Sequence, residues 1–566
     1  MKLVVIGGVA GGASAASRVR RLDPSAKVTI FEQGEHVSFS NCSLPYYLSG
    51  VVENSEDLVM MSPEAFKMNH DIDVCVRSRV TAIHRERKTV SVKELDTGRE
   101  YEESYDKLVL SPGASPVMPR SIQGIDQDHV FSVRNVTDIR AVKARMDTAG
   151  VVDVAVVGGG FIGLETAENL CKAGKHVTVI EGMDQVMAPF DEDMAQILHK
   201  ELNDNGIALY LSTTVTEIGK DTITATREGV PLVLPAQAVV MAVGVRPETE
   251  LARDCGLEIG ETGGIKVNHN YQTNDPNIYA VGDAIESYNA LTHRPGRLAL
   301  AGPAQRQARA AADHIYGMPH SNKGFIGSSC VRLFGLNAAC TGLSEKAAQA
   351  AGYSCNSVLL FSNDKVGIMP GCSYMAFKLV FEVPTGKLLG AQAIGHGEVD
   401  KRVNVIAALV VMGGDLEDLK EMELCYAPHF STAKDVVNMA ALVGLNVLYG
   451  RMKQVPVSKV RGLVEAGAYI IDVREPDEYE EGHLTNSVNI PLSQLRGRLD
   501  EIPKDRPVYL HCRSSQRSYY ALCCLQGNGF TNVTNISGSF LGISLYEYYR
   551  DKITGRAPIV TRYNFD

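Results

Sequence analysis

Residues 151–181, VVDVAVVGGGFIGLETAENLCKAGKHVTVIE, decide the fold. An apolar run typical of a buried strand leads into a glycine-rich turn, a helical stretch through Leu170, and a second strand from His176 to Ile180. The turn glycines Gly158, Gly160 and Gly163 have the GxGxxG spacing, with which loop amides and a helix N-terminus hold a pyrophosphate. The segment therefore predicts a Rossmann-type dinucleotide-binding unit.

The acid that ends this unit, Glu181, indicates which nucleotide binds. A carboxylate here accepts a hydrogen bond from a ribose 2′-hydroxyl and repels a 2′-phosphate. The next two residues, Gly182 and Met183, offer no cation. The sequence therefore favours NADH over NADPH.

The N-terminus carries a second unit of the same kind. An apolar run from Lys2 to Ile6 precedes a glycine-rich loop, a helical stretch to about Leu22, and a second strand that ends on Glu32. Val9 stands where GxGxxG has its middle glycine, and the flanking strand, helix and acid compensate for that departure. The loop residues expected around a second dinucleotide are Gly7, Gly8, Ala10, Gly11 and Gly12.

Composition limits the remaining classes of function. A chain of 566 residues is expected to form about three or four domains. A net charge of -10 gives no support for nucleic-acid binding, and no stretch has the roughly 20 apolar residues of a membrane span. The 12 cysteines form no CxxC pair and no Cys/His cluster at zinc spacing. We expect no metal site, no disulfide framework and a cytoplasmic location.

Three further segments complete a family resemblance. YDKLVLSPGA (105–114), VMAVGVRP (240–247) and NDPNIYAVGDA (274–284) read as strands that close on Gly113, Gly244 and Gly282. With the two loops, they make the chain resemble the pyridine nucleotide-disulfide oxidoreductase family from residue 1 to about 445. The resemblance implies FAD in the first unit, with Glu32 on the adenosine ribose and Asp283 on the ribityl chain. It also implies NADH in the second unit, Phe161 as a ring over the flavin, and a homodimer.

One cysteine follows the first unit in SFSNCSLPYY (38–47). Most disulfide-reducing members of the family carry CxxxxC, but the residue five positions after Cys42 is Tyr47, so no internal disulfide forms by that route. The thiol must pair with an external sulfur, as a mixed disulfide or persulfide, or be oxidised to sulfenic acid. The first outcome indicates reduction of a thiol-derived substrate, and the second indicates reduction of peroxide or oxygen.

Subfamily resemblance favours the first outcome. Single-cysteine oxidases and peroxidases of the family carry a histidine in the first glycine loop, where this chain has Ala10. SFxNCxxPY resembles coenzyme A-disulfide reductases, which implies that Ser38 and Asn41 lie along the coenzyme A tail. Tyr426 matches the tyrosine that this subfamily places beside the cysteine of the other subunit. Three arginines suit its phosphates: Arg18, Arg20 and Arg21.

One segment departs from the subfamily. A YYPG stretch is replaced by Ile368-Met369-Pro370-Gly371, which removes a second tyrosine hydroxyl.

The C-terminal segment contains another cysteine site. A strand, PVYLH (507–511), leads to Cys512 and a short loop before a helix expected at about Ser518. Loop amides, the helix N-terminus, Arg513 and Arg517 would stabilise a thiolate that takes up and passes on sulfane sulfur. With DVRE at 472–475 and GHL at 482–484, the segment resembles a rhodanese domain, although Ser515 stands where a glycine is common.

The predicted fold class is α/β, with two nested Rossmann-like domains, an α+β dimerisation domain and a C-terminal α/β rhodanese domain. The predicted boundaries are 1–115 plus 271–324 for the FAD domain, 116–270 for the NADH domain, 325–445 for dimerisation, 446–459 for a linker and 460–566 for rhodanese.

The predicted function is NADH-dependent reduction of persulfides, polysulfides or coenzyme A-linked disulfides through Cys42, with Cys512 carrying sulfur. The alternatives are an NADH oxidase or peroxidase, and a flavoprotein that binds and senses coenzyme A or sulfane sulfur.

Overall fold

The computed structural model describes residues 1–565. They divide into two compact units: unit 1 contains residues 1–182 and 210–325, and unit 2 contains residues 183–209 and those from 326 onward. The helices are α1 (Ala10–Leu22), α2 (Leu44–Leu48), α3 (Pro63–His70), α4 (Val136–Met146), α5 (Phe161–Lys172), α6 (Glu192–Asp204), α7 (Glu250–Asp254), α8 (Ala301–Ile315), α9 (Glu345–Ala350), α10 (Val399–Met412), α11 (Leu416–Glu421), α12 (Val436–Leu448), α13 (Val460–Glu465), α14 (Pro476–Glu480), α15 (Gln516–Gly527) and α16 (Ser539–Thr554).

The strands of the first 300 residues are β1 (Lys2–Ile6), β2 (Lys27–Phe31), β3 (Asp73–Cys75), β4 (Ser78–His84), β5 (Thr89–Glu94), β6 (Glu100–Ser104), β7 (Lys107–Leu110), β8 (Ala114–Pro116), β9 (Val130–Ser132), β10 (Asp153–Val157), β11 (His176–Ile180), β12 (Ala208–Tyr210), β13 (Thr213–Ile218), β14 (Thr222–Arg227), β15 (Val230–Pro235), β16 (Ala238–Met241), β17 (Val245–Pro247), β18 (Ile278–Ala280), β19 (Ser287–Tyr288) and β20 (Pro295–Gly296). The remaining strands are β21 (Ser328–Leu333), β22 (Leu336–Gly342), β23 (Cys355–Asn363), β24 (Tyr374–Glu382), β25 (Leu388–Gly395), β26 (Gln454–Val455), β27 (Tyr469–Asp472), β28 (Val488–Asn489), β29 (Val508–His511) and β30 (Val533–Ile536).

Unit 1 is built on two parallel sheets. The first has the order β18-β7-β1-β2-β3, and residues 3–6 of its central strand are buried. Leu3 and Val5 belong to a core shared with α1 and α8, and Val4 and Ile6 belong to a core shared with β4 and β5. In the second sheet, β10 lies between β11 and β16, and β9 follows β16. Both predicted strand–loop–helix–strand units therefore form, and the carboxyl ends of their strands carry the glycine loops.

Unit 2 contains an antiparallel and a parallel sheet. The antiparallel sheet has the order β21-β22-β25-β24-β23, and the parallel sheet, in the C-terminal part, has the order β26-β30-β29-β27-β28. Lys378 of β24 is buried among Asp191, Asp193 and Glu345, at 3.2, 2.9 and 3.2 Å from its Nζ atom. Three carboxylates around one ammonium compensate its loss of hydration.

Residues 183–209 group with unit 2, although they directly follow the second nucleotide-binding strand in sequence. Helix α6 of this segment packs against α16, and the Tyr549 hydroxyl donates a 3.1 Å hydrogen bond to the Leu209 carbonyl. The Tyr546 hydroxyl donates to the Glu192 carboxylate at 3.1 Å. The C-terminal helix is therefore anchored on a segment from the middle of the chain.

The structure departs from two local expectations. The helix expected at about Ser518 begins at Gln516, and the predicted linker, residues 446–459, is largely regular. Its first three residues complete α12, and β26 joins the parallel sheet by pairing with β30. None of the helices described within residues 1–565 is long and apolar enough to cross a membrane.

Candidate active sites

The first glycine loop has no room for a side chain at Gly7 or Gly12. Gly7 has a φ of +92°, and a Cβ at Gly12 would lie 1.8 Å from the Gly7 carbonyl oxygen. The Glu32 carboxylate accepts hydrogen bonds from the amides of Gly8 and Gly34, at 2.9 and 2.8 Å. The loop thus brings α1 close to β1 and places an acid beside it, which fits the pyrophosphate and ribose of a dinucleotide.

The second loop repeats this arrangement. Gly158 has a φ of +114°, and a Cβ at Gly163 would lie 2.0 Å from the Gly158 carbonyl oxygen. The Glu181 carboxylate accepts a 2.6 Å hydrogen bond from the Gly159 amide. Gly160 caps the N-terminus of α5, and Phe161 is its first residue. This loop likewise fits a dinucleotide.

The other predicted cofactor residues of unit 1 lie at strand ends. Gly113, Gly244 and Gly282 follow β7, β16 and β18 within a few residues. Asp283 lies in a short 3₁₀ helix, and burial raises the pKa of its carboxyl. No side-chain hydrogen bond to Asp283 is observed within residues 1–565, so this desolvated carboxyl suits a hydroxyl-bearing ligand.

Cys42 lies in the 3₁₀ helix Asn41–Ser43, directly before α2, and is exposed. The segment is tied to the first loop, because the Ser38 amide donates a 2.9 Å hydrogen bond to the Gly8 carbonyl. The Asn41 side-chain amide donates to the Arg134 carbonyl at 3.2 Å. The fold therefore ties the segment that carries Cys42 to the first loop through Ser38.

One residue near this thiol, Glu165, could not be singled out from the sequence. Burial raises the pKa of Glu165 to about 7, although the Tyr46 hydroxyl donates to its carboxylate at 3.4 Å. Partial burial and the charges of Glu165 and Asp283 raise the pKa of the Cys42 thiol. Tyr46, the hydrogen-bond partner of Glu165, is distant from it in sequence. The only signal in the sequence was the position of Glu165 in α5, two residues after Gly163.

The three arginines of α1 have different environments. Arg18 donates to the Asp313 carboxylate at 2.7 Å, and Arg20 donates to the carbonyls of Pro24 and Asp71, each at 2.7 Å. Arg21 is exposed, and no ion pair is observed for it in the described chain. Of the three, Arg21 is therefore the one whose guanidinium is available to a ligand phosphate.

Tyr426 lies in unit 2, with half of its side chain exposed (51%). The Val366 amide donates to the Pro428 carbonyl at 3.3 Å, which joins the Tyr426 loop to the loop in which Ile368 replaces the expected tyrosine. Ile368 and Phe430 are also exposed, at 85% and 64%. These two loops thus both present exposed apolar side chains in the predicted dimerisation domain.

Cys512 follows β29 and is buried, with 1% of its surface exposed. Arg517 forms a two-pronged ion pair with Glu478, which raises the pKa of the guanidinium and lowers that of the carboxyl. Arg513 donates to the Asn564 carbonyl at 3.2 Å. Both predicted arginines therefore flank the cysteine loop, and each already has a partner.

The strand beside the cysteine carries a buried ion pair. Asp472 and Arg474 are fully buried and hydrogen-bonded, and the Arg474 guanidinium lies 4.2 Å from the centre of the Phe540 ring. Burial alone would raise the pKa of Asp472, but His511 and Arg474 hold it below its usual value. This pair links β27 to the start of α16.

Comparison with known proteins agrees with this architecture. Residues 1–308 match the pyridine nucleotide-disulphide oxidoreductase family, residues 329–437 match the dimerisation domain of that family, and residues 457–545 match the rhodanese-like domain. These matches confirm the predicted fold class.

Three relatives are similar over most of their length. The coenzyme A disulfide reductase of Staphylococcus haemolyticus is 34% identical over 77% of this chain and 98% of its own. The crystal structure of reduced Bacillus anthracis CoADR-RHD is 39% identical, with a TM-score of 0.93 over 97% of this chain and 98% of the other. The NAD-dependent persulfide reductase from A. fulgidus is 33% identical, with a TM-score of 0.90 over 97% of this chain and 100% of the other. The chain belongs to the pyridine nucleotide-disulphide oxidoreductase family.

Proposed function

We propose that this protein is an NADH-dependent flavoprotein that reduces persulfides and coenzyme A-linked disulfides through Cys42. The observation that carries the proposal is an exposed thiol in a segment that the Ser38–Gly8 hydrogen bond ties to the first glycine loop, with Tyr47 where a second cysteine would stand. A thiol in this position needs an external sulfur as its redox partner. Both similar full-length structures also combine this kind of reductase with the same C-terminal fold.

The two loops divide the cofactors. The first loop, Glu32 and Asp283 would hold FAD, and the second loop, Phe161 and Glu181 would hold NADH. Bound FAD would take up a hydride equivalent from NADH and supply two electrons for cleavage of a sulfur–sulfur bond. The net reaction converts a persulfide, NADH and one proton into a thiol, hydrogen sulfide and NAD⁺.

The chain's own residues handle the sulfur and the proton. Cys42 would attack the inner sulfur of the persulfide, which forms a mixed disulfide and releases hydrosulfide. Glu165, with a pKa of about 7, can hold or give up a proton near neutral pH beside this thiol. Tyr426, exposed in the dimerisation domain, would protonate the leaving thiolate at Cys42 of the other subunit of a homodimer.

Coenzyme A would deliver the sulfur along Ser38 and Asn41. Because Arg18 is paired with Asp313, we assign the first phosphate contact to Arg21. Cys512 would carry sulfane sulfur, either taking it from coenzyme A persulfide or bringing it to Cys42. The 12 cysteines are all free, and we propose that the protein works in the reducing cytoplasm.

Steady-state NADH oxidation tests the proposal. The purified protein is assayed with coenzyme A persulfide, glutathione persulfide, coenzyme A disulfide and hydrogen peroxide, and sulfide is measured in parallel. Wild-type protein should release sulfide from a persulfide, whereas Cys42→Ser should keep its flavin and lose this activity. Cys330→Ser, which changes another exposed thiol, should behave as wild type.

The same assay separates the alternatives. Equal rates with peroxide alone would identify an oxidase or peroxidase and contradict the proposal. Tight retention of coenzyme A with negligible turnover of every substrate would instead indicate a sensing protein.

A further inference from the structure

Two serines beside Cys512 adopt backbone conformations that favour glycine. Ser515, which precedes α15, has a φ of 77°, and Ser539, the first residue of α16, has a φ of 50°. A residue with a Cβ is strained in this region, and such strain concentrates at functional sites. Glycine would fit both positions without strain. The presence of serine instead makes the two hydroxyl groups candidates for a functional role.

The hydroxyl groups of Ser515 and Ser539 contact each other close to Cys512. The Ser515 and Ser539 Oγ atoms are 3.0 Å apart, and the Ser515 hydroxyl donates to the Ile536 carbonyl at 3.2 Å. The Ser539 Oγ accepts the Cys512 amide at 3.2 Å and lies 3.9 Å from the Cys512 Sγ. Ser539 is fully buried, so water does not compete for these contacts.

The available protons limit the directions that these hydrogen bonds can take. A serine hydroxyl has one proton and can accept two hydrogen bonds. The Ile536 carbonyl lies 3.2 Å from the Ser515 Oγ and 3.4 Å from the Ser539 Oγ, so either hydroxyl can donate to it. When Ser515 donates to this carbonyl, its oxygen can accept from Ser539. When Cys512 is a thiol, its S–H can point to Ser539 while Ser539 donates to Ser515. When Cys512 is a thiolate, rotation of the Ser539 hydroxyl turns its proton to the sulfur.

We propose that Ser539 is a hydrogen-bond donor to the Cys512 sulfur in its thiolate and persulfide forms, and that Ser515 is a positioning residue that acts through Ser539. Arg517 forms an ion pair with Glu478. The Ser539 hydroxyl therefore stabilises the Cys512 sulfur independently of the Arg517 guanidinium. Ser515 stands where a glycine is common in this loop. Its contact with Ser539 thereby compensates the backbone strain at this position.

The inference rests on the proposed role of Cys512 as a sulfur carrier. In the step concerned, the Cys512 thiolate attacks the outer sulfur of a donor persulfide, R–S–SH. A sulfur–sulfur bond forms at Cys512, the donor's sulfur–sulfur bond breaks, and R–S⁻ leaves, with no net oxidation. A donor aimed at Cys512 stabilises the attacking thiolate and holds the persulfide product.

The test uses the full-length protein with four variants: Ser539→Gly, Ser539→Ala, Ser515→Gly and the double glycine variant. Glutathione persulfide is added between pH 5.5 and 9, and persulfidation of the Cys512 peptide is followed by mass spectrometry. Both Ser539 variants should react about tenfold more slowly at pH 7, because a hydrogen bond to a charged sulfur is lost. Their rate profiles should also move to higher pH.

The remaining variants separate a chemical role from a structural one. Glycine relieves backbone strain, so Ser539→Gly should be at least as resistant to thermal unfolding as wild type while reacting more slowly. Ser515→Gly should have a smaller effect, and the double variant should be no slower than Ser539→Gly, because both act through one hydroxyl. Ser544→Ala removes a different buried hydroxyl of α16 and should leave rate and profile unchanged.

Two results would overturn the inference. If Ser539→Gly matches wild type in rate and pH profile, Ser539 has no role in sulfur transfer, and the proposed function stands. If wild-type Cys512 accepts no sulfur at all while NADH-driven persulfide reduction proceeds, both the inference and the carrier role of Cys512 fall.

Discussion

The Tyr46 hydroxyl donates a 3.4 Å hydrogen bond to the Glu165 carboxylate, and this contact joins α2, the helix that follows Cys42, to α5, the helix of the second glycine loop. Burial raises the pKa of Glu165 to about 7, and its charge contributes to the raised pKa of the Cys42 thiol.

Replacing Glu165 should make Cys42 more reactive as a thiol. The charge of Glu165 contributes to the raised pKa of Cys42, so Glu165→Gln should lower that pKa. We expect faster alkylation of Cys42 by iodoacetamide at pH 8 in the protein freed of cofactor, measured on the Cys42 peptide. Glu53→Gln, a change at an exposed acid in the same region, should not alter the rate, and an unchanged rate in Glu165→Gln would refute the coupling.

The same substitution should change stability in a pH-dependent way. Glu165 has a folded pKa of about 7, above the ordinary value of 4.5, so the native state keeps a proton that the unfolded state has released. Stability contributed by this group therefore falls as pH rises from 4.5 through 7. Glu165→Gln should be more stable than wild type by about 3 kcal/mol at pH 8 and show almost no gain at pH 4.5. Thermal unfolding at the two pH values measures this, and an equal change at both would be inconsistent with the shift.

Arg21 and Arg18 should differ in their effect on coenzyme A substrates. Arg21→Ala should raise the KM for coenzyme A persulfide about tenfold, because a phosphate contact is lost, and leave the KM for glutathione persulfide unchanged. Arg18→Ala breaks the partly buried pair with Asp313 and should lower thermal stability instead. Equal effects of Arg21→Ala on both substrates would exclude a phosphate contact.

The Glu181 carboxylate should set the nucleotide preference. Glu181→Ala should weaken NADH binding and reduce the discrimination against NADPH by about tenfold, since it removes both a hydroxyl partner and a repulsive charge. The ratio of kcat/KM for the two nucleotides is the readout. A ratio that stays at the wild-type value would place the ribose elsewhere.

The buried pair of the rhodanese domain should be important for its stability. Arg474→Ala leaves Asp472 buried without its partner and should cost about 3–5 kcal/mol. Arg498→Ala breaks an exposed pair with Glu501 and should cost less than about 1 kcal/mol. Urea unfolding followed by accessibility of the Cys512 thiol compares the two, and similar midpoints would contradict the burial argument.

Much of the framework could be predicted because its signals are local. β1 and β11 have the bounds expected from their continuous apolar runs, and the glycine loops follow from spacing alone. Cys42 and Cys512 could be singled out because each follows a recognisable strand or loop. The β26 strand, only two residues long, has no periodicity to detect, and the predicted linker therefore included it.

The remaining features depend on contacts between distant residues. Glu165 is one acid among many in a helical stretch, and only its burial beside Tyr46 and Cys42 marks it. Ser539 lies 27 residues after Cys512, and nothing in its neighbourhood indicates a left-handed backbone or a contact with the thiol. The packing of α6 against α16 is likewise a tertiary contact that the local sequence pattern does not predict.

The most direct test of the central claim is the mass of the Cys42 peptide after anaerobic mixing with coenzyme A persulfide, before and after NADH is added. We predict a coenzyme A mixed disulfide on Cys42 before NADH, and its loss after NADH with release of free coenzyme A. An unmodified Cys42 in a protein that oxidises NADH with this substrate at full rate would contradict the mechanism.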